Sequence, residues 1–261
     1  MNLIEKILKF LFCTNVTLVT YNIHGLPIII TGDDTYKRIN EIGTELNDLN
    51  PDVIHFQEDW TSYGHSILDK ALDYTSKERL SEKVNEYSIF GSGLFSVSNF
   101  EEIDVNSKPY KKRYGYDDFW ASKGYIIQRL QIPYLKDESI DFYNTHMDAQ
   151  DKSGDKKARK SNAEELIEKM KNYSFNNAII FAGDTNLGTD DTDQNTYKEL
   201  LNKANLTDVS DTLSVSKKID KILYRSSESI SIVPIEYEIL EDLSDLSDHK
   251  AIKVKFQVCQ L

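Results

Sequence analysis

The sequence predicts an α/β (α+β) fold in which two packed mixed β-sheets, flanked by helices, bring their polar strand ends to one rim. Three observations predict it. Short β-branched and aromatic runs alternate along the chain with segments of helical periodicity. Several of those runs stop abruptly at Asn, His, Asp or Glu. One arrangement also occurs twice: Tyr21-Asn22-Ile23-His24 ends a strand and Glu58 follows 36 residues after Asn22, while Tyr143-Asn144-Thr145-His146 ends a strand and Asp184 follows 40 residues after Asn144. Each half thus reads strand, polar end, helix, strand, acidic end, as two similar sheets packed face to face would.

The elements follow in order. Residues 1–15 form an apolar segment interrupted by Glu5, Lys6 and Lys9. Its uncharged run is far below the ~20 residues that span a bilayer, and it makes no convincing signal peptide. Leu3, Ile4, Ile7, Leu8 and Leu11 share one helical face, which leaves core packing, disorder and a membrane surface open. A single domain is expected over residues 16–261, because no low-complexity linker divides the chain. Val16 to Asn22 is a strand, broken by Ile23-His24-Gly25-Leu26-Pro27. Ile39, Ile42, Leu46 and Leu49 recur at helical spacing behind Asp33 and Asp34 as N-cap candidates, and Pro51 stops that helix. Asp52 to Asp59 reads as a short strand that ends in Gln57 and Glu58, and a weaker helix carries Ile67, Leu68, Ala71 and Leu72.

Tyr87 to Gly91 and Gly93 to Ser98 read as paired strands around a glycine turn. Residues 101–120 read as a polar connection, in which Lys111, Lys112 and Arg113 are interleaved with Tyr110, Tyr114, Tyr116, Phe119 and Trp120. Such a loop can meet lipid headgroups, stack on bases or cap the edge of the core. Tyr125 to Ile132 and Ser139 to His146 are strands, followed by a helix with Ala163, Leu166, Ile167 and Met170. Ala178-Ile-Ile-Phe-Ala reads as a buried strand, after which Gly183 lets Asp184 and Asn186 emerge at its end; an Asx-type turn is the bland alternative. A helix through Tyr197, Leu200, Leu201 and Ala204 and strands over residues 218–224, 230–233 and 251–256 complete the chain.

The formal charge of −12 leaves no general cationic surface for phosphate backbones, so nucleic acid is disfavoured as a partner unless a local patch supplies the charge. Cys13 and Cys259 lie near opposite termini and could pair only if the ends meet; they supply neither a disulfide framework nor a zinc site. Asn22, Glu58, His146, Asp184, Asn186, Asp248 and His249 therefore carry the chemistry. Their carboxylate and amide oxygens are hard ligands suited to Mg2+ or Mn2+, and two histidines on the same rim can handle protons near neutral pH. Metal-assisted hydrolysis of a phosphoester uses all of them. His24, His55 and His65 lack comparable context and read as structural or exposed, although His24 beside Asn22 could line the site.

From Val16 to Phe256 the sequence resembles the endonuclease/exonuclease/phosphatase superfamily, with the motifs TYNIHG, FQED, SKGY, YNTHMD, FAGDTN, KIDKIL and LSDHKAI in the expected order. The resemblance implies the DNase I-like four-layered α/β/β/α sandwich. It implies that Asn22 and Glu58 hold the principal metal with Asp248 as a further carboxylate, and that His146 stabilises or protonates the phosphoryl group. Asp184 and Asn186 would position water and phosphate or a second metal. His249 would take the proton from attacking water while Asp220 orients its imidazole, although Asp220 alone reads as a surface aspartate between lysines. Within the superfamily, YNIHGLP, PDVIHFQEDW, GSGLFSVSNF and DDFWASKGYIIQRL look most like the neutral sphingomyelinase branch, which makes Lys123 a candidate phosphate contact. No conspicuous apolar hairpin like that of secreted bacterial members is evident. The reading that follows is a monomeric phosphodiesterase acting on a phospholipid headgroup, with a membrane surface as a possible partner. A Mg-dependent nuclease or DNA-repair phosphodiesterase, and a non-catalytic binding module on the same fold, are the alternatives.

Overall fold

A computed structural model describes residues 13–82, 89–115, 121–133, 135, 138–216 and 218–261. The first strand, β1 (Cys13–Asn22), is followed by a one-turn helix α1 (Ile28–Thr31), α2 (Thr35–Leu49), β2 (Val53–Gln57), α3 (Ser62–Ala71), β3 (Ser76–Leu80) and β4 (Leu94–Ser98). Then come β5 (Glu102–Pro109), β6 (Gly124–Gln131), β7 (Ser139–His146), α4 (Ser153–Asn172), β8 (Ala178–Asp184) and α5 (Asp191–Ala204). The chain closes with β9 (Thr207–Asp208), α6 (Val209–Leu213), β10 (Asp220–Arg225), β11 (Ile230–Ile239), a 3-10 turn and β12 (Ile252–Gln260).

These strands form two six-stranded sheets, ordered β11-β12-β1-β2-β4-β3 and β5-β6-β7-β8-β10-β9. The repeated pattern in the sequence is their common centre. β1 and β2 run parallel with α2 between them, β7 and β8 run parallel with α4 between them, and the pairings next to these are antiparallel. Side chains alternate across a strand, so every second residue of β1, β7 and β8 faces the other sheet. Val16, Leu18, Ile140, Phe142, Ala178, Ile180 and Ala182 build that inner core. The opposite faces pack under helices: Val19, Tyr21, Ile54 and Phe56 against Ile39, Ile42, Leu46 and Leu68, and Tyr143, Ile179 and Phe181 against Ala163, Leu166, Met170 and Leu200. The result is the expected four layers.

The same alternation continues to the strand ends. Asn22 has the parity of Val16 and Leu18, His146 that of Ile140 and Phe142, and Asp184 that of Ile180 and Ala182. All three consequently face the inter-sheet space where the apolar filling stops. Deeper in that space, Asn144 joins the sheets. Its Nδ2 donates to the Phe56 carbonyl (3.0 Å), the Phe95 carbonyl (3.1 Å) and Ser96 Oγ (3.0 Å), while its Oδ1 accepts from Gln57 Nε2 (2.8 Å).

Several expectations need correction. Residues 102–109 are a strand, not part of a connection, and Ser76–Leu80 is a strand where none was expected. Both are edge strands, with one side of the ladder open, and their charged residues follow from that exposure and conceal the alternation of a half-buried strand. β4 pairs with β2 and β3. Of its expected partner, Tyr87 and Ser88 lie outside the described residues, and Phe90 makes an isolated parallel bridge with Ala121 instead of pairing with β4. Of the mixed basic and aromatic loop, Tyr116, Phe119 and Trp120 lie outside them too, while Tyr110 is core, its hydroxyl 2.6 Å from Thr145 Oγ1. The boundary expected after residue 15 falls inside β1, whose first residue, Cys13, stands opposite Cys259 of β12 and is joined to it by a disulfide. The rest of the N-terminal segment, residues 1–12, lies outside the described residues. No helix among the described residues is long and apolar enough to cross a membrane.

Asn144 gives the fold its most specific test. Asn144→Leu keeps the bulk but takes a donor from two buried carbonyls, at about 1–3 kcal/mol each, while Gln57 Nε2 keeps Thr20 Oγ1 and the His55 carbonyl. Denaturant unfolding should show a loss of about 2–4 kcal/mol, and a loss within 0.5 kcal/mol, the scatter of surface substitutions, would show that the tie is dispensable.

Candidate active site

The polar strand ends meet as one connected group, with Asp184 at its centre and almost fully buried. Its Oδ2 accepts from Asn22 Nδ2 at 3.1 Å and lies 3.4 Å from His146 Nε2 and 3.8 Å from His249 Nε2. Its Oδ1 accepts the Asn186 backbone N–H at 3.0 Å, so the Asx-type turn and the site are one structure. Asn22 Nδ2 also donates to Glu58 Oε1 at 3.0 Å. From there His24 Nδ1 lies 3.7 Å from Glu58 Oε2 and 3.4 Å from Asp248 Oδ2. On the other side, Lys123 Nζ lies 2.7 Å from His146 Nε2, and His249 Nδ1 is 3.0 Å from Asp220 Oδ2. Every residue expected at the site from the sequence is thereby brought to it.

Local backbone requirements explain this placement. Glu58 immediately follows β2 at φ 64, and its carbonyl accepts the Gly25 N–H at 3.0 Å. A Cβ on Gly25 would stand 2.4 Å from that carbonyl oxygen, so the approach of the two strand ends needs glycine there. Gly183 plays the same part in the second sheet, where a Cβ would stand 2.2 Å from the Thr145 carbonyl oxygen. Asp220 is opposite Asp184 in the β10–β8 register, which sets it behind His249. Ser247 Oγ donates to the Asn22 carbonyl at 2.7 Å and accepts the His249 N–H at 3.3 Å, tying the last loop to the first strand.

The two histidines are tuned in opposite directions. Burial holds His146 well below its ordinary range, and the neighbouring Lys123 and His249 charges add to this, so its imidazole is neutral. Burial also acts against a charged His249, but the Asp220 hydrogen bond and charge, then Asp184 and Asp248, outweigh it and raise His249 to about 9. Asp184 is raised by burial and by the Asp220 charge, against the pull of His249 and Lys123.

Two expected ligands differ in detail from the expectation. Asn22 turns its amide nitrogen toward Glu58 and Asp184, and its Oδ1 accepts the His24 N–H at 3.1 Å. Asn186 spends its Nδ2 on the Met147 carbonyl at 3.2 Å. The sequence offered His24 only as a neighbour of Asn22 that could line the site, and it does so. Sequence reasoning missed Trp60, which follows Glu58 by two residues and whose ring centroid lies 5.3 Å from Lys123 Nζ. It also missed Arg159, fully buried in α4, which binds Asp193 and the carbonyls of Asp148, Ala149 and Gln150, and so fixes the loop after β7. Arg159 lies on a charged helix, with no local signal to separate it from its neighbours. His55 is buried between the sheets and His65 binds Asp59 at 2.6 Å, both away from the cluster.

Above the cluster opens a cleft of about 560 Å³, lined by Leu26, Ile30, Trp60, Ile89, Phe90 and Ala121 as well as by His24, Glu58, Lys123 and Asp248. A smaller cleft beside it, against Asp59 and Arg79, shares only Trp60, Ile89 and Phe90 with it and contains no residue of the cluster.

Two facing mixed sheets between helices, with a rim of carboxylates, side-chain amides and two histidines, define a DNase I-like protein of the endonuclease/exonuclease/phosphatase superfamily. The chain belongs to endonuclease/exonuclease/phosphatase family 2, whose model matches residues 19–218. Among solved structures it is similar to beta toxin from Staphylococcus aureus, in a mutant with bound magnesium ions, at 18% identity and TM-score 0.71 over 92% of this chain and 99% of that one. Sphingomyelinase C from Streptomyces griseocarneus is similar at 14% identity and TM-score 0.70, over 93% and 99%. TDP2 from D. rerio, complexed with a single-strand DNA product, is similar at 15% identity and TM-score 0.69, over 93% and 99%. No curated protein matches the sequence.

The His249–Asp220 pair has a pH signature in metal-free protein. Folded His249 keeps a proton that an unfolded histidine releases near pH 6.5, so the pair's stabilisation is complete below pH 6.5 and is lost as pH rises through about 9. Chelator-treated Asp220→Asn should be less stable than the parent at pH 6 and approach it by pH 9.5 in denaturant unfolding. A pH-independent difference would show that Asp220 does not hold the proton on His249.

Proposed function

We propose that this chain is a divalent-metal-dependent phosphodiesterase that hydrolyses a phospholipid headgroup diester with water. The observation that carries the reading is the single network joining Glu58, Asn22, Asp184, His146, Lys123, His249, Asp220 and, through His24, Asp248, which opens through Glu58, Lys123 and Asp248 into a cleft with apolar walls. An apolar wall beside an ionic floor suits a phosphate that carries hydrocarbon, and the charge of −12 disfavours a polyanion.

The donor set fits Mg2+ or Mn2+. Carboxylate oxygens of Glu58 and Asp184 already converge within about 3 Å of a polarised N–H on Asn22, and the network contains hard oxygens and imidazoles but no thiolate. Glu58 and Asn22, the latter through Oδ1, would hold the ion with Asp248 as a further carboxylate, and once bound it would offset negative charge on the phosphoryl oxygens.

The remaining work belongs to side chains. Asp184 Oδ2, which faces both imidazoles, orients the attacking water, and Asn186 at the same turn borders the phosphate. His249 Nε2 takes a proton from that water as its oxygen bonds to phosphorus in line with the departing alcohol oxygen. Asp220 holds Nδ1–H and thus fixes the tautomer that leaves Nε2 free to accept. The uncompensated carboxylates that keep His249 protonated in their own company release it when their charge is neutralised. His146 acts as a neutral donor to a phosphoryl oxygen, with Lys123 supplying the positive charge. The products are a phosphomonoester and an alcohol.

Three measurements test this. With Mg2+ present, a panel of sphingomyelin, lysophospholipid, single-stranded DNA and duplex DNA should show turnover of a phospholipid. Turnover of DNA alone would make the chain a nuclease, and none on any substrate would favour a binding module. Chelator should abolish the activity, and Glu58→Gln should raise the Mg2+ concentration needed, because an amide lacks the charge that binds a hard cation. Unchanged turnover in chelator excludes the metal. His249→Ala should lose about 10²–10⁴-fold in rate, Asp220→Asn less, and the double variant no more than His249→Ala, since residues acting as a unit are not additive. Multiplicative losses would separate Asp220 from His249.

A further inference from the structure

Among the described residues, the most exposed apolar group lies beside the cleft. Ile28, Ile29 and Ile30 are 41%, 93% and 60% exposed, and α1, which they form with Thr31, buries none of its residues. Single exposed isoleucines are ordinary, but three in succession on one tip are not. The tip is also firmly held. Pro27 starts the turn, Gly32 closes it at φ 71 with its N–H on the Ile28 carbonyl, and Thr31 Oγ1 lies 2.9 Å from Thr35 Oγ1. The preceding segment is anchored to the site itself, through Ile23 N–H on the Gln57 carbonyl and Gly25 N–H on the Glu58 carbonyl. Ile30 and Leu26 belong to the cleft wall, so whatever covers the tip also covers the cleft mouth.

We propose that Ile28, Ile29 and Ile30 are a docking tip that inserts into an uncharged, zwitterionic phospholipid surface and thereby seats the cleft on its lipid. This builds on the phospholipid reading given above. Size argues for a lipid surface over a second protein. Three isoleucines offer on the order of 300–400 Å², under half of the ~800 Å² that each partner gives a stable interface, whereas insertion into a bilayer needs no matching surface. Charge argues for a zwitterionic surface. Anchors for anionic lipid carry a collar of Lys and Arg, but here Asp33 and Asp34 follow the tip. Lys37 is the one exposed cation among the first residues after them, since Arg38 is occupied by Asp33 and the carbonyls of Ile23, His24 and Leu246.

The test is flotation of full-length protein with vesicles of phosphatidylcholine and sphingomyelin, in chelator so that no turnover intervenes. The parent should float, high salt should change little, and added phosphatidylserine should not strengthen binding. Ile29→Asp, at a position outside the cleft lining, should reduce partitioning about tenfold or more while its melting temperature and its turnover of a small soluble diester stay at parental values. Parent protein that does not float, floats only with anionic vesicles, or floats equally well as Ile29→Asp would overturn the proposal. So would Ile29-dependent dimerisation in sedimentation without vesicle binding, which would assign the tip to a second copy. Flotation as expected without hydrolysis of any lipid would instead sink the substrate reading and leave the docking tip standing.

Discussion

Asn144 sets the constraint on which the rest of the structure depends. An amide buried between two sheets must satisfy all its hydrogen-bonding groups or cost free energy. Asn144 does so only where it meets the Phe56 and Phe95 carbonyls, Ser96 Oγ and the Gln57 amide of the opposite sheet at once. Hydrophobic packing between sheets is nearly indifferent to small slides, whereas directional bonds are not. This tie therefore fixes how far β7 and β8 advance relative to β1 and β2, and hence whether Asp184 reaches Asn22 or overshoots it. The 3.0 and 3.1 Å contacts at Asn22 depend on a register set further inside.

Electrostatics then divide the labour on the rim. Glu58, Asp184, Asp220 and Asp248 crowd negative charge into a small volume, relieved by Lys123 on one side and His249 on the other. Position decides which imidazole bears the proton. His146 is buried, which disfavours its charged form, and lies beside Lys123, where a second positive charge is unwelcome; His249 lies between Asp184 and Asp220, where one is favoured. A divalent cation fits the same logic, because the rim is short of positive charge where the carboxylates of Glu58 and Asp184 converge.

Much of this is legible in the sequence, for a physical reason. Central strands are buried on both sides and must be apolar, so a polar residue at their end stands out; Asn22, Glu58, His146 and Asp184 were found in this way. The edge strands β3 and β5 were not, since Glu78, Lys77, Glu102 and Asp104 satisfy solvent on an open ladder and look like loop residues. The repeated Tyr-Asn-x-His also carried a hidden difference. Asn22 ends its strand and faces the site, while Asn144 stops two residues short and binds the other sheet, leaving His146 at the rim.

Taken alone, the sequence determined two facing sheets with helices between their strands, the order of the central elements and the strand-ending rim residues, because burial periodicity and strand-ending polar groups are local properties. The four-layered class came from the family its motifs resemble. Tertiary structure decided what depends on distance between remote segments: that Cys13 meets Cys259, that Asp220 backs His249 and is no bystander, and that Asn22 bridges Glu58 and Asp184. It also decided that Arg159 is a buried clamp and that Ile28, Ile29 and Ile30 are left uncovered. An isoleucine run reads in sequence as something to be buried, and only the packing of the other elements shows that nothing among the described residues covers it.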